Sequence, residues 1–143
     1  MPITDKVLES GIAPFVVRDV PQVENTASLD ATLASFRATP SGSVLVVDSG
    51  TRALSGIITG SDLTKLGQKN QVQNAEELAT HEIVAIRDSA QLWQLLKIMN
   101  GENALRRPLN SLPVVDADGK PVGVIKREQL VGRLAQFEKA VPS

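Results

Sequence analysis

Thr59 and Asp62 are the residues best placed to do chemistry. A hydroxyl and an acid stand three positions apart, just after the β-branched run that begins at Gly56, with Gly60 and Ser61 between them. That order reads as a strand turning abruptly into a helix, Gly60 easing the turn and polar groups gathering at the first helical turn. Free backbone amides and the positive end of the helix dipole sit at such a turn, so anionic or polyhydroxylated ligands are natural guests. An aspartate there can accept both hydroxyls of a ribose, and bonds to a charged acceptor are stronger than neutral ones. Thr59 can donate to a phosphate or sugar oxygen, and the amides of Gly60 and Ser61 can add phosphate contacts. The same side chains can equally serve the helix alone, Thr59 as its cap and Asp62 as an acid favoured by the dipole. The eight residues Gly56 to Leu63 leave both readings open.

A second stretch, Gly123 to Leu130, repeats the apolar frame with other polar groups. Lys126 stands where Thr59 does, and Gln129 where Asp62 does. Lys126 and Arg127 are cations at a helix start, where the dipole opposes them. They form either an anion clamp for a polyphosphate tail or a solvated surface pair. Arg106 and Arg107 divide the same way, reaching phosphates or sitting in water.

Other chemistries find little support. There are no cysteines, which excludes disulfides, thiol catalysis and thiolate metal sites. His81, the single histidine, has no cysteine company and reads as an exposed loop residue rather than a zinc ligand. Asp116-Ala117-Asp118-Gly119 is hairpin-turn chemistry without the distal glutamate of a calcium loop. No serine sits in a nucleophile elbow and there is no phosphate-binding Walker loop. The expectation is a protein that is not an enzyme, with no metal and no required cofactor.

Elements must hold these residues in place. Asp5 to Ser10 suits a short helix stopped by Gly11 and Pro14, with Phe15-Val16-Val17 as an apolar clamp. Val20-Pro21-Gln22-Val23 reads as a short extended segment. Ser28 caps a helix carrying Leu29, Leu33 and Phe36 at i, i+4, i+7, which Thr39-Pro40-Ser41-Gly42 breaks. Val44 to Val47 reads as a strand buried on both faces, answered across Asp48-Ser49-Gly50 by Gly56-Ile57-Ile58. A helix from Ser61 to Leu66 ends near Gly67. After a polar linker from Gln68 to about Asn74 the order returns: a helical turn at Ala75–Ala79, a strand at Ile83–Ile86, and a helix capped by Ser89 with Leu92, Leu95, Leu96 and Met99 in one stripe. A buried strand at Leu112–Val115, a return strand at Val122–Ile125 and a closing helix with Leu130, Leu134 and Phe137 complete the copy. Trp93 lies beside the leucine stripe, as core edge or as a dimer contact. Leu29 and Phe36 match Leu92 and Met99 at one constant offset, and two copies of one β-α-β-β-α unit are hard to obtain by chance.

Composition agrees with a folded chain. With 143 residues, 42% of them apolar and a net charge of -1, the protein suits one domain or two fused small ones. That charge offers no case for nucleic acid or a membrane surface. No stretch approaches the roughly 18 apolar residues of a spanning helix, and the first residues lack the apolar core of a signal peptide. A soluble, cytoplasmic chain without membrane insertion is expected.

The residues Val46-Val47-Asp48 with Gly56 to Asp62, and Leu112-Pro113-Val114-Val115-Asp116 with Gly123-Val124-Ile125, resemble a tandem pair of cystathionine-β-synthase (CBS) domains, often called a Bateman module. The resemblance spans about Val17 to Phe137. It implies an α+β fold in which two pseudo-symmetric repeats pack through their sheets and leave two clefts for adenosine-containing ligands. The organisation expected is a lead-in at 1–16, the first repeat at 17–68, a linker at 69–74, the second repeat at 75–138 and a tail at 139–143. The family's ligand signature runs glycine, two residues, Ser or Thr, two residues, Asp. Gly56, Thr59 and Asp62 meet it, whereas the second repeat keeps only Gly123. By the same resemblance, Val20, Pro21 and Gln22 with Ser43, Val44 and Leu45 form the adenine slot. The implied function is a regulatory sensor of AMP, ADP, ATP or S-adenosylmethionine, a homodimer acting on an attached or separate effector protein. The alternative is a ligand-free dimerisation or interaction module, such as the cytosolic part of a channel, transporter or enzyme.

Overall fold

The computed structural model describes residues 5–38, 42–64, 66 and 72–140, with side chains from residue 7 to residue 135 of that set. The break expected at Thr39–Ser41, the helix end near Gly67, most of the Gln68–Asn74 linker, the tail after residue 140 and the side chain of Phe137 lie outside the described residues.

In chain order the elements are α1 (Asp5–Leu8), a 3-10 turn (Ala13–Phe15), β1 (Gln22–Glu24), α2 (Leu29–Ala38), β2 (Ser43–Val47), β3 (Leu54–Thr59), α3 (Gly60–Leu63), α4 (Ala75–Leu78), β4 (Ile86–Arg87), α5 (Leu92–Met99), β5 (Ser111–Val115), β6 (Pro121–Lys126) and α6 (Arg127–Ala140). They build two three-stranded sheets, β1-β2-β3 and β4-β5-β6. In the first, β1 runs parallel to β2 and β2 antiparallel to β3; β4 likewise runs parallel to β5. This is the α+β repeat that the sequence pattern announces.

The reasons are local. Ser28 caps α2 by accepting the Ala31 amide at 3.2 Å, satisfying one orphan donor of the first turn. Every residue of β2 is buried, as a continuous Val/Leu run demands. Val44, Val46 and Ile58 share a core with Val72, Ala75, Leu78 and Ala79. In the other repeat Leu92, Leu95 and Met99 bring their stripe onto Leu112, Val114 and Ile125.

Two elements differ from the sequence expectation. The cap of α5 is Gln91, not Ser89: Gln91 donates its amide to the Gln94 side chain at 2.9 Å in a capping box. Gln91 is the residue that falls opposite Ser28 when the repeats are aligned. The strand expected at Ile83–Ile86 is β4, only Ile86 and Arg87. In the first repeat Leu45 extends the parallel ladder by donating its amide to the Pro21 carbonyl at 3.0 Å. Its counterpart is Pro113, which has no N–H, so the ladder cannot run back toward Val84.

The chain divides into two compact units that do not follow its order. One unites residues 19–83 with 118–121, the other residues 1–18 with 84–117 and 122–143. The opening segment of each repeat thus belongs to the unit holding the other repeat's sheet. Val17 and Val124 exchange backbone hydrogen bonds of 2.8 and 2.9 Å, and Ile57 and Thr80 exchange bonds of 3.1 and 2.9 Å. The correspondence holds further out, since Ser10 accepts from the Leu92 amide as Gln73 does from Leu29, at 2.9 Å each.

Candidate functional site

Three chain segments converge where β1 and β2 begin and β3 ends. Gln22 is in register with Leu45, and Ser43 with Thr59. Val20, Pro21, Gln22, Ser43, Val44, Leu45, Thr59 and Asp62 are therefore brought to one end of one sheet. Ser43, Val44 and Leu45 have no exposed surface and Val20 very little. Thr59 is half-buried, Gly60 and Ser61 are exposed, and Asp62 is buried again.

Thr59 lies in extended backbone at the N-cap of α3. Oδ2 of Asp62 accepts the Thr59 amide at 2.8 Å and the Thr59 hydroxyl at 3.2 Å. This is the arm of a capping box in which the acid reaches back to the cap. Asp62 is only 4% exposed, so its carboxylate is held by specific donors rather than by water. The donor to its other oxygen comes from elsewhere in the chain: the Thr80 hydroxyl donates to Oδ1 at 2.5 Å. Thr80 sits just after α4, on the segment that bridges to Ile57. It was not a sequence candidate, because nothing local marks a threonine followed by a histidine. The available signal was the repeat itself, in which Thr80 falls opposite Val17.

That alignment exposes a threefold difference. The unit holding the first sheet carries Thr59, Asp62 and Thr80 as one hydrogen-bonded cluster; the corresponding residues of the other unit are Lys126, Gln129 and Val17. Lys126, at the end of β6, is half-buried, and burial pushes its ammonium below the usual lysine range. Arg127 resolves the apparent conflict with the dipole of its own helix. Its guanidinium turns to the far end of α5, where Nε donates to the Leu109 carbonyl at 2.8 Å and the other nitrogens meet the Met99 carbonyl and, at 3.4 Å, the Asn100 side chain. A cation there complements the negative end of α5. Arg106 and Arg107 are exposed, Arg106 with φ of 54° in the turn that follows Asn103.

The remaining sequence candidates fall to plain roles. Both ring nitrogens of His81 face backbone carbonyls, Ser55 at 3.0 Å and Glu76 at 2.7 Å. Trp93 is 41% exposed, with its indole N–H on the Gln91 side chain at 2.6 Å and the Lys97 ammonium 5.6 Å from the ring centre. Among the described residues no group of His, Asp and Glu gathers as metal ligands, and no helix is long and apolar enough to cross a membrane.

A β-α-β-β-α unit occurring twice, each copy lending its opening segment to the other's sheet, defines a tandem-repeat α+β protein. Residues 75–136 match the family model of the CBS domain, and most of the chain shares its fold with a CBS-pair protein, CBSX2. A structure of CBSX2 in complex with AMP is similar with 25% identity over 90% of this chain and 98% of that one, at a TM-score of 0.69. CBSX2 is known from Arabidopsis thaliana. The cytosolic domain of the Mg2+ channel MgtE in complex with ATP shares the fold at 18% identity, 90% of this chain, 50% of that one and a TM-score of 0.68. CbpB in complex with c-di-AMP does so at 18% identity, with 92% and 89% covered and a TM-score of 0.71.

Proposed function

We propose that this protein is a non-catalytic regulatory module that takes an adenosine-containing nucleotide at the end of the first sheet and passes the event to a partner or attached effector protein. The observation that carries it is the asymmetry of the two units: a buried carboxylate with two threonine hydroxyls in one, and Lys, Gln and Val in the other. The Asp62 carboxylate takes the ribose diol, Thr59 a sugar or phosphate oxygen, and the exposed amides of Gly60 and Ser61 a phosphate. Backbone edges near Gln22 and Leu45 meet the adenine ring. CBSX2, similar along nearly its whole length, is seen with AMP, which supports the nucleotide class. The Arg127 guanidinium is already engaged on carbonyls and has no part in this reading. The reading places the protein in the cytoplasm, as a homodimer. To regulate, the nucleotide must prefer one of two arrangements of the module, because equal affinity for both shifts nothing.

Calorimetric titration with AMP, ADP, ATP and S-adenosylmethionine tests this on the wild type and on Asp62→Asn, which keeps shape and one acceptor oxygen. Saturable binding by at least one ligand is expected, weakened in the variant by roughly 1.5–3 kcal/mol, the worth of hydrogen bonds to a charged group. Absence of binding by all four, in folded protein, sinks the reading. It would leave a ligand-free interaction module, which has its own support: the Asp62 carboxylate already satisfies a capping box and the Thr80 hydroxyl.

A further inference from the structure

We infer that Thr80 belongs to the sugar site as a built-in competitor: its hydroxyl occupies Asp62 in the free chain and must leave when a nucleotide's diol binds. The inference deepens the proposed function and rests on it. A carboxylate offers about four lone-pair positions. At least three are taken, by the Thr59 amide, the Thr59 hydroxyl and the Thr80 hydroxyl. A ribose diol needs two, so at least one present donor must give way. The Thr59 amide and hydroxyl belong to the start of α3, and losing either disturbs the helix cap. Of these three donors the Thr80 hydroxyl is the one from another segment, and it can turn away by rotation about χ1 alone. The backbone of Thr80 stays fixed meanwhile, because its amide and carbonyl are bridged to Ile57. Burial points the same way: at 4% exposure the carboxylate is out of a sugar's reach until something moves. Thr80 is thus a positioning residue that sets affinity by holding the free state closed, and the other unit, with no acid to hold, carries Val17 at that place.

The test is calorimetry with AMP, ADP, ATP and S-adenosylmethionine on the wild type, Thr80→Val, Thr80→Ser and Thr80→Ala, each checked for folding by thermal melting. Thr80→Val removes the hydroxyl and keeps the shape, so it should bind whichever nucleotide the wild type binds roughly tenfold more tightly, the lower end of the worth of a hydrogen bond to a charged group. Thr80→Ala should shift the same way if Thr80→Val melts too early to titrate. Thr80→Ser should return the wild-type affinity. A merely structural threonine would give weaker binding in the valine variant, never tighter. Equal or weaker binding by Thr80→Val and Thr80→Ala, with the wild type binding normally, overturns the competition and leaves the nucleotide site standing. Binding by the valine variant alone supports it, and failure of the wild type and every variant to bind any of the four overturns both.

Discussion

Gly56 and Gly123 hold the same place in the two repeats, yet only Gly56 is followed by the hydroxyl and acid of the ligand signature. Their shared role is packing. A methyl group at Gly56 would come within 2.9 Å of the Thr80 carbonyl and 3.1 Å of the Ala79 side chain. At Gly123 it would run into the Val17 carbonyl and come 2.7 Å from a Val16 methyl. Each glycine lets the opening segment of the opposite repeat bridge onto its strand, which is why the second repeat keeps the glycine after losing the polar groups. Glycine here serves close approach rather than an unusual backbone angle. Gly123→Ala should therefore lower stability by about 1–3 kcal/mol, as overpacking against backbone does. Gly56→Ala should cost less, because its approach to the Thr80 carbonyl is less tight than that of Gly123 to the Val17 carbonyl. Urea unfolding of the two variants checks the order, and an equal or reversed order would argue against the bridging role.

Between residue and molecule, the elements show what a sequence can and cannot carry. The β-α-β-β-α order, the Ser28 cap and the wholly buried β2 were legible because each rests on neighbouring side chains: a spacing, a hydroxyl, a run of valines. The N-cap of α5 was missed by following a good capping residue, Ser89, instead of the repeat offset that points to Gln91. The shortness of β4 hides in another strand, where Pro113 lacks the amide that Leu45 supplies in the first repeat. Thr59 and Asp62 stand as a pair in the sequence, but the partnership of Thr80 joins segments distant in the chain, and only the repeat offset points to it. Arg127 is the fullest case, a cation at the wrong end of its own helix and the right end of another. Arg127→Ala should destabilise the second sheet's unit by about 1–3 kcal/mol, the cost of leaving part-buried carbonyls without a charged donor. Arg127→Lys should recover only part of that, because an ammonium cannot reproduce the planar fork across the Leu109 and Met99 carbonyls. Full recovery by lysine in chemical unfolding would reduce the residue to a point charge.

At the scale of the whole molecule, the opening residues that read as a lead-in are part of a core. Ile12 has no exposed surface and Phe15 only 5%, and both pack with Ile86, Leu92, Leu95, Met99, Leu112, Val114 and Ile125. They occupy the places that Ala75 and Leu78 hold in the other unit, where those two pack with Val44, Val46 and Ile58. Neither core is complete with its own repeat's residues alone, so the chain should fold as a whole rather than repeat by repeat. Phe15→Ala should cost about 3–5 kcal/mol and Ile12→Ala about 2–5 kcal/mol, the range for emptying a packed core site. Against a typical total stability of about 5–15 kcal/mol, removing residues 1–18 should leave the second sheet's unit without a fixed core. The expected signs are binding of a hydrophobic dye and loss of dispersed amide resonances from Leu92, Val114 and Val124. A truncated chain that keeps those resonances and melts as the full-length protein does would show that the opening segment is a leader after all, and that each repeat closes its own core.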